Sequence, residues 1–274
     1  MREFINFFCQ SVTQHPRSQR SWGRSLCYTP SFRGYVPHSP QREYALTRVG
    51  VGHFGEKPYL CSILKYCTNM KVLMINGSPR QKGNTNVALT EIARTLESDG
   101  IESEIVWIGN KPVRGCIACG KCRELSGACA FNDDICNVIG AKFSEADALI
   151  VGSPVYYGQP NGALLAVLQR AFYSNSIAIA GKPAAVVAVC RRGGASAVFE
   201  TLNMPFQMLN MPVVTSQYWN IVYGREPGQA AQDQEGLQTM RALAHNMAWL
   251  LKAIGGKPAP GRGDEPWTPM HFVR

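Results

Sequence analysis

Lys71-Val-Leu-Met-Ile-Asn-Gly-Ser-Pro-Arg-Gln-Lys-Gly-Asn-Thr85 reads as a buried strand that runs straight into an anion-binding turn. Val72, Leu73, Met74 and Ile75 are a short, unbroken apolar run, the pattern of a central parallel strand covered on both faces. Gly77 ends it, and Val87, Leu89, Ile92 and Leu96 then fall near helical spacing. The N-terminus of that helix points back at the turn. Its unpaired backbone N–H groups and about half a positive charge favour an anion there. Ser78, Arg80, Asn84 and Thr85 add hydroxyl, guanidinium and amide groups. An ordinary strand-to-helix turn, with Asn84 or Thr85 as an N-cap, accounts for the same residues. Neither G-x-G-x-x-G nor G-x-x-x-x-G-K-[ST] occurs in the stretch, so a terminal phosphate monoester such as that of FMN suits it better than a nucleotide polyphosphate.

The chain has 274 residues, enough to bury a large core, and its hydrophobic content is 45%. No apolar run is long enough to span a bilayer. The net charge is +9, but residues 1–69 hold nine Lys/Arg against three Asp/Glu, and the remainder nineteen against sixteen. Charges of both signs are therefore interspersed after residue 69, which argues against a nucleic-acid-binding face. Residues 1–69 are basic and rich in Ser, His and Pro, with no sustained period. We expect a disordered extension there, from an upstream start or as a targeting segment, with the functional domain over 70–255 and an irregular Gly/Pro-rich tail over 256–274.

From Met70 the pattern alternates strand and helix five times, which predicts an α/β fold with an open parallel sheet and helices on both faces. Strands are expected at 71–76, 102–108, 148–151, 184–189 and 212–216. Helices are expected at about 84–99, 135–146, 161–173, 195–209 and 231–254. In such a sheet a ligand sits beyond the carboxyl ends of the strands, where strand order reverses. Three loops should converge there. After the third strand comes Gly152-Ser-Pro-Val-Tyr-Tyr-Gly158, and after the fourth Cys190-Arg-Arg-Gly-Gly194. Adjacent Tyr156 and Tyr157 can pack on a flat ring or merely on the neighbouring helix, and the glycines let backbone approach closely.

Gly77-Ser-Pro-Arg80, Gly83-Asn-Thr85 and Ser153-Pro-Val-Tyr-Tyr-Gly158 resemble, in that order, the flavodoxin-like NADPH-dependent FMN reductases. The resemblance covers roughly residues 70–255. It implies five parallel strands in the order 2-1-3-4-5, FMN as cofactor, and a homodimer or homotetramer that helps enclose it. It assigns Ser78, Arg80, Asn84 and Thr85 to the phosphate, and Pro154, Val155, Tyr156, Tyr157 and Gly158 to the isoalloxazine. Arg192, Gly193 and Gly194 match the third loop less distinctly.

Five of the ten cysteines fall between Cys116 and Cys136. Clustered C-x-x-C spacing in a chain with a full core points to metal or redox chemistry rather than a disulfide framework. Cys116, Cys119 and Cys122, followed after six residues by Cys129, offer the four thiolates that a [4Fe–4S] cluster requires. This loop resembles that of the iron–sulfur flavoprotein branch, although it departs from the ferredoxin spacing, which has three residues before its fourth cysteine and a proline after it. A four-cysteine zinc site and an unmetallated thiol loop stay open. Cys136 reads as the start of the second helix, with Asp133 and Asp134 as its cap, Cys190 as a core thiol, and His245 as a packed or surface residue.

These readings give an FMN-dependent NAD(P)H oxidoreductase of the flavin, quinone or xenobiotic reductase type, acting on a small-molecule acceptor. The alternative is an iron–sulfur flavoprotein relaying single electrons from a ferredoxin-like donor to FMN. A sensor that uses the fold only for binding is a third reading. No side chain is assigned a catalytic role, because the cofactor carries the hard chemistry. A cytoplasmic protein with no membrane or nucleic-acid partner is expected.

Overall fold

The computed structural model describes residues 70–261, 263–266 and 268. The extension expected over 1–69 lies outside the described residues. In chain order the elements are β1 (Lys71–Asn76), α1 (Asn84–Ser98), β2 (Glu102–Trp107), α2 (Cys136–Glu145), β3 (Ala148–Tyr156), β4 (Gln159–Pro160), α3 (Gly162–Ile179), β5 (Ala184–Cys190), α4 (Ala195–Met208), β6 (Ile221–Tyr223) and α5 (Gln234–Ile254). Two short 3-10 turns lie at Lys121–Arg123 and Gln229–Gln232.

The parallel strands run in the order β2-β1-β3-β5-β6, with β4 paired antiparallel to β3. This is the order expected, since β5 and β6 are the fourth and fifth parallel strands. The sheet has six strands rather than five because β3 continues to Tyr156 and folds back as a hairpin, pairing Val155 with Pro160 and Tyr156 with Gln159.

The last strand also lies elsewhere than expected. Residues 212–216 were expected to form it, but Val213 makes a single bridge to Ala184, at the start of β5. The chain then loops out through Tyr218 and Trp219 and rejoins the sheet at Ile221, pairing with Ala188 to Cys190. Val213 and Val214 carry the β pattern, while only three residues make the ladder.

Alternation along each strand sends side chains to opposite faces and so builds two cores. Leu73, Ile75, Leu149, Val151 and Val186 pack with Phe143 of α2, Leu164 and Phe172 of α3 and Phe206 of α4. Val72, Met74, Ile150 and Val187 pack with Leu89 and Ile92 of α1 and with Leu243 and Met247 of α5. Each such fully buried side chain contributes on the order of 1.5–3 kcal/mol. Among the described residues, no helix is long and apolar enough to cross a membrane.

The caps fix where the helices begin. Asn161 Oδ1 accepts from the N–H groups of Ala163 and Leu164 at 2.8 and 3.2 Å, which starts α3 directly after the hairpin. Asp233 accepts from Gly236 N at 2.9 Å and from Tyr223 N at 2.7 Å, tying α5 to β6. No side chain caps the first turn of α1.

Candidate flavin site and cysteine loop

The loop after β1 is built around Asn76, which is fully buried. Its Oδ1 accepts from Ser78 N at 3.1 Å and its Nδ2 donates to Gln81 O at 3.1 Å, so one side chain sets both limbs of the turn. Ser78 Oγ accepts from Arg80 N at 3.1 Å, and Trp107 Nε1, at the end of β2, donates to Ser78 O at 2.7 Å. Thr85 and Ser78 are buried, and Arg80 is exposed beside the uncapped start of α1. Free helical N–H groups with a guanidinium nearby suit a phosphate.

Asn84 reaches across to a neighbouring loop. Its Nδ2 donates to Glu226 O at 2.9 Å and its Oδ1 accepts from Ala230 N at 3.1 Å. The side chain assigned to the phosphate thus ties the loop to the 224–230 segment.

The three loops do converge. Gly77 N donates to Gly152 O at 2.8 Å, and a Cβ on Gly77 would lie 2.4 Å from Leu164 Cδ2. Tyr157 and Gly158 turn the β3–β4 hairpin with φ of +50° and +75°, the sign that a type I′ turn requires at both central positions. Pro154 and Val155 are half-buried, while Tyr156 is 46% exposed and Tyr157 fully so. Gly194 has φ of +87°, and a Cβ there would come 2.9 Å from Gly158 Cα and 3.0 Å from Val155 Cγ1. A Cβ on Gly158 or Gly193 would meet nothing within 4 Å. Open space over a glycine-lined surface, with exposed Arg191 and Arg192 beside it, fits a flat anionic ring system.

The cysteine loop lies between β2 and α2. Cys116, Cys119, Cys122 and Cys129 all line one hollow. Among the described residues, no three Cys, His, Asp or Glu side chains are gathered closely enough to hold a metal. The four thiols therefore share a space without converging on a point. Ala118 and Gly120 take φ of +54° and +72°, which curls the backbone around Cys119. Ala118 N donates to Cys116 Sγ at 3.4 Å. Four sulfurs around one space, with N–H groups turned to two of them, fit a four-thiolate cluster.

The second N–H group comes from Arg170 of α3, whose side chain is wholly buried. Arg170 Nε donates to Cys129 Sγ at 3.3 Å, Nη1 to Arg114 O at 3.3 Å and Nη2 to Phe131 O at 3.1 Å, and Nη1 also pairs with Asp134. Burial works against its charge, but the bonds to Asp134 and Cys129 outweigh it and raise its pKa. Asn137 grips Cys129 from the other side: Oδ1 accepts Cys129 N at 2.8 Å and Nδ2 donates to Cys129 O at 3.0 Å. Sequence reasoning missed Arg170, Asn137, Asn76 and Trp107.

Cys136 opens α2 as expected, and burial pushes its thiol up to about 12. Asp134 accepts from its N–H at 3.0 Å, whereas Asp133 pairs with Arg114 instead of capping. Burial likewise raises Cys190. Both are free thiols packed in the core beside α3 and α4. His245 sits on the surface against Asp99 at 2.7 Å.

An iron–sulfur flavoprotein of Methanocaldococcus jannaschii is 33% identical over 193 residues, covering 68% of this chain and 99% of that protein. One from Methanosarcina thermophila is 29% identical over 191 residues, covering 68% and 97%. Among solved structures, RosB with its bound intermediate 8-demethyl-8-formylriboflavin-5'-phosphate has a TM-score of 0.56 at 18% identity, covering 75% of this chain and 91% of that one. That likeness concerns the fold alone. Residues 70–226 match the family described as NADPH-dependent FMN reductase. That match, with relatives aligned over nearly their whole length, makes this chain an FMN-type flavoprotein oxidoreductase that belongs to the NADPH-dependent FMN reductase family, beside the iron–sulfur flavoproteins.

Proposed function

We propose that the chain moves single electrons between a [4Fe–4S] cluster held by Cys116, Cys119, Cys122 and Cys129 and an FMN held by the three loops. The observation that carries this is α3. It starts at Gly162, just after the hairpin of the second flavin loop, and carries the arginine whose N–H reaches Cys129 Sγ. Eight residues separate Gly162 from Arg170, about 12 Å along a helix axis. One rigid element thus fixes both candidate sites relative to each other.

When bound, FMN supplies hydride acceptance and single-electron exchange, and the cluster supplies single-electron exchange alone. The chain supplies position and field. Arg80, Ser78, Thr85 and the open start of α1 hold the phosphate, while Asn84 keeps that loop against residues 226–230. Pro154 to Gly158 line the ring, and Arg192 with Gly193 and Gly194 brings positive charge toward the pyrimidine end, favouring a reduced anionic ring.

A second reading, direct reduction by NAD(P)H, is supported by the family description and by exposed Tyr156 and Tyr157, which leave room for a second flat ring. A ferredoxin-like donor, a small-molecule acceptor and a cytoplasmic location belong to the proposal. So does a homodimer or homotetramer, supported by the exposure of Ile177 on α3 and of Met204 and Met208 on α4.

Anaerobic stopped-flow separates the two readings. Flavin reduction by a reduced ferredoxin at rates well above those with NADH or NADPH supports the relay. Fast reduction by a pyridine nucleotide, with none by ferredoxin, overturns it.

A further inference from the structure

The cysteine loop is not held evenly. Cys116 and Cys119 are exposed, but Cys129 is gripped through its backbone by Asn137 and through its sulfur by Arg170. Arg170 also bonds Arg114 O, two residues before Cys116, and Phe131 O, two residues after Cys129. One buried guanidinium therefore ties together both ends of the segment that contains all four thiols. Its fork of five N–H groups is what allows it to reach several acceptors at once. Asp134 neutralises it at the mouth of α2, and Phe131 packs near it, with 5.6 Å from the ring centroid to Arg170 Cζ.

We propose that Arg170 is the positioning residue of the cluster site: it closes the cysteine loop at its two ends and donates a charge-assisted N–H to Cys129 Sγ, raising the potential of the cluster bound there. The inference rests on the iron–sulfur reading. Cys129 is then the preset ligand, and Cys116, Cys119 and Cys122 close onto the cluster from the exposed side. A cationic N–H on a ligand sulfur stabilises the more negative, reduced cluster, so the potential rises.

The test uses the full chain purified without oxygen, as wild type, Arg170→Lys and Arg170→Gln. Iron and sulfide are assayed per chain, and the cluster's midpoint potential is read by an EPR-monitored redox titration. The expected result is a lower potential in both variants, lower in Arg170→Gln than in Arg170→Lys, with FMN content unchanged. A merely structural arginine would change iron content without moving the potential of the clusters that remain. Equal potentials and equal iron in all three proteins overturn the role of Arg170 and leave the iron–sulfur reading standing. Wild-type protein without iron after reconstitution overturns both.

Should both variants lose iron yet keep FMN, iodoacetamide labelling of the iron-free chains decides. Slow labelling of Cys129 relative to Cys119 in wild type, abolished in the variants, supports the role. Equal rates in wild type overturn it.

Discussion

Asn84 Oδ1 accepts a hydrogen bond from Ala230 N at 3.1 Å, which fastens the turn after β1 to the 3-10 turn that precedes α5. The residue that reads as a phosphate ligand also braces two loops. Its amide also holds Glu226 O, so Asn84→Ala removes both ties and is expected to lower stability by about 1 kcal/mol. Because that effect reaches the site through loop order, FMN and riboflavin should lose affinity alike. Arg80→Ala should instead weaken FMN about tenfold or more and leave riboflavin nearly unchanged. Fluorescence titration with both ligands checks the contrast, and equal losses for Arg80→Ala would remove Arg80 from the phosphate site.

Tyr157 is fully exposed and holds φ of +50° at the hairpin tip. A tyrosine there is strained by roughly 1 kcal/mol, and Asn-Gly is the pair such a turn prefers. Tyr157→Asn should therefore raise the melting temperature of the flavin-free chain while weakening FMN several-fold. A stabilised variant with unchanged FMN affinity would show that the ring is not a flavin contact.

Gly194 and Gly158 touch where the loop after β5 meets the β3–β4 hairpin. At φ of +87°, with Gly158 Cα 2.9 Å from where a Cβ would stand, Gly194→Ala has to push the hairpin away. We expect at least a tenfold loss of FMN affinity with helix content retained, measured by titration and circular dichroism. Wild-type affinity would mean that the two loops do not jointly shape the site.

Glu104 on β2 bonds Lys142 of α2 at 2.6 Å and Lys71 of β1 at 2.7 Å. The hydrogen bond from Lys142, then that from Lys71, holds its carboxyl below the usual value of 4.5. A lowered carboxyl pKa stabilises the fold above the unfolded-state value and is lost as pH falls through the folded one. Urea midpoints of wild type and Glu104→Gln should therefore differ at neutral pH and merge well below pH 4.5. A gap that persists in acid would mean the variant fails through packing rather than charge.

The strands that carry continuous apolar runs were legible in the sequence: Val72 to Ile75 and Ala184 to Val189 are buried on both sides and could hardly be anything else. The same holds for the turn after β1, because Gly-Ser-Pro-Arg breaks such a run. The hairpin at Tyr157 was not legible, since it lacks the Asn-Gly signal and puts a tyrosine at positive φ. Nor was the last strand, whose three residues are shorter than any period can reveal, while Val213 and Val214 offered a better pattern nearby. Arg170 left a fainter trace. It sits within the helical stripe of Leu164, Val167, Leu168 and Ala171, where a charge needs a buried partner, and no local rule says that the partner is a loop forty residues earlier.

In the proposed function one chain carries FMN and a four-iron cluster together. The measurement that tests it most directly is the visible spectrum of anaerobically purified protein, with iron and acid-labile sulfide assayed on the same sample. The expected result is a flavin spectrum on a broad thiolate-to-iron shoulder, with about four irons and four sulfides per chain. A clean flavin spectrum without iron, unchanged after reconstitution with iron and sulfide, would contradict it.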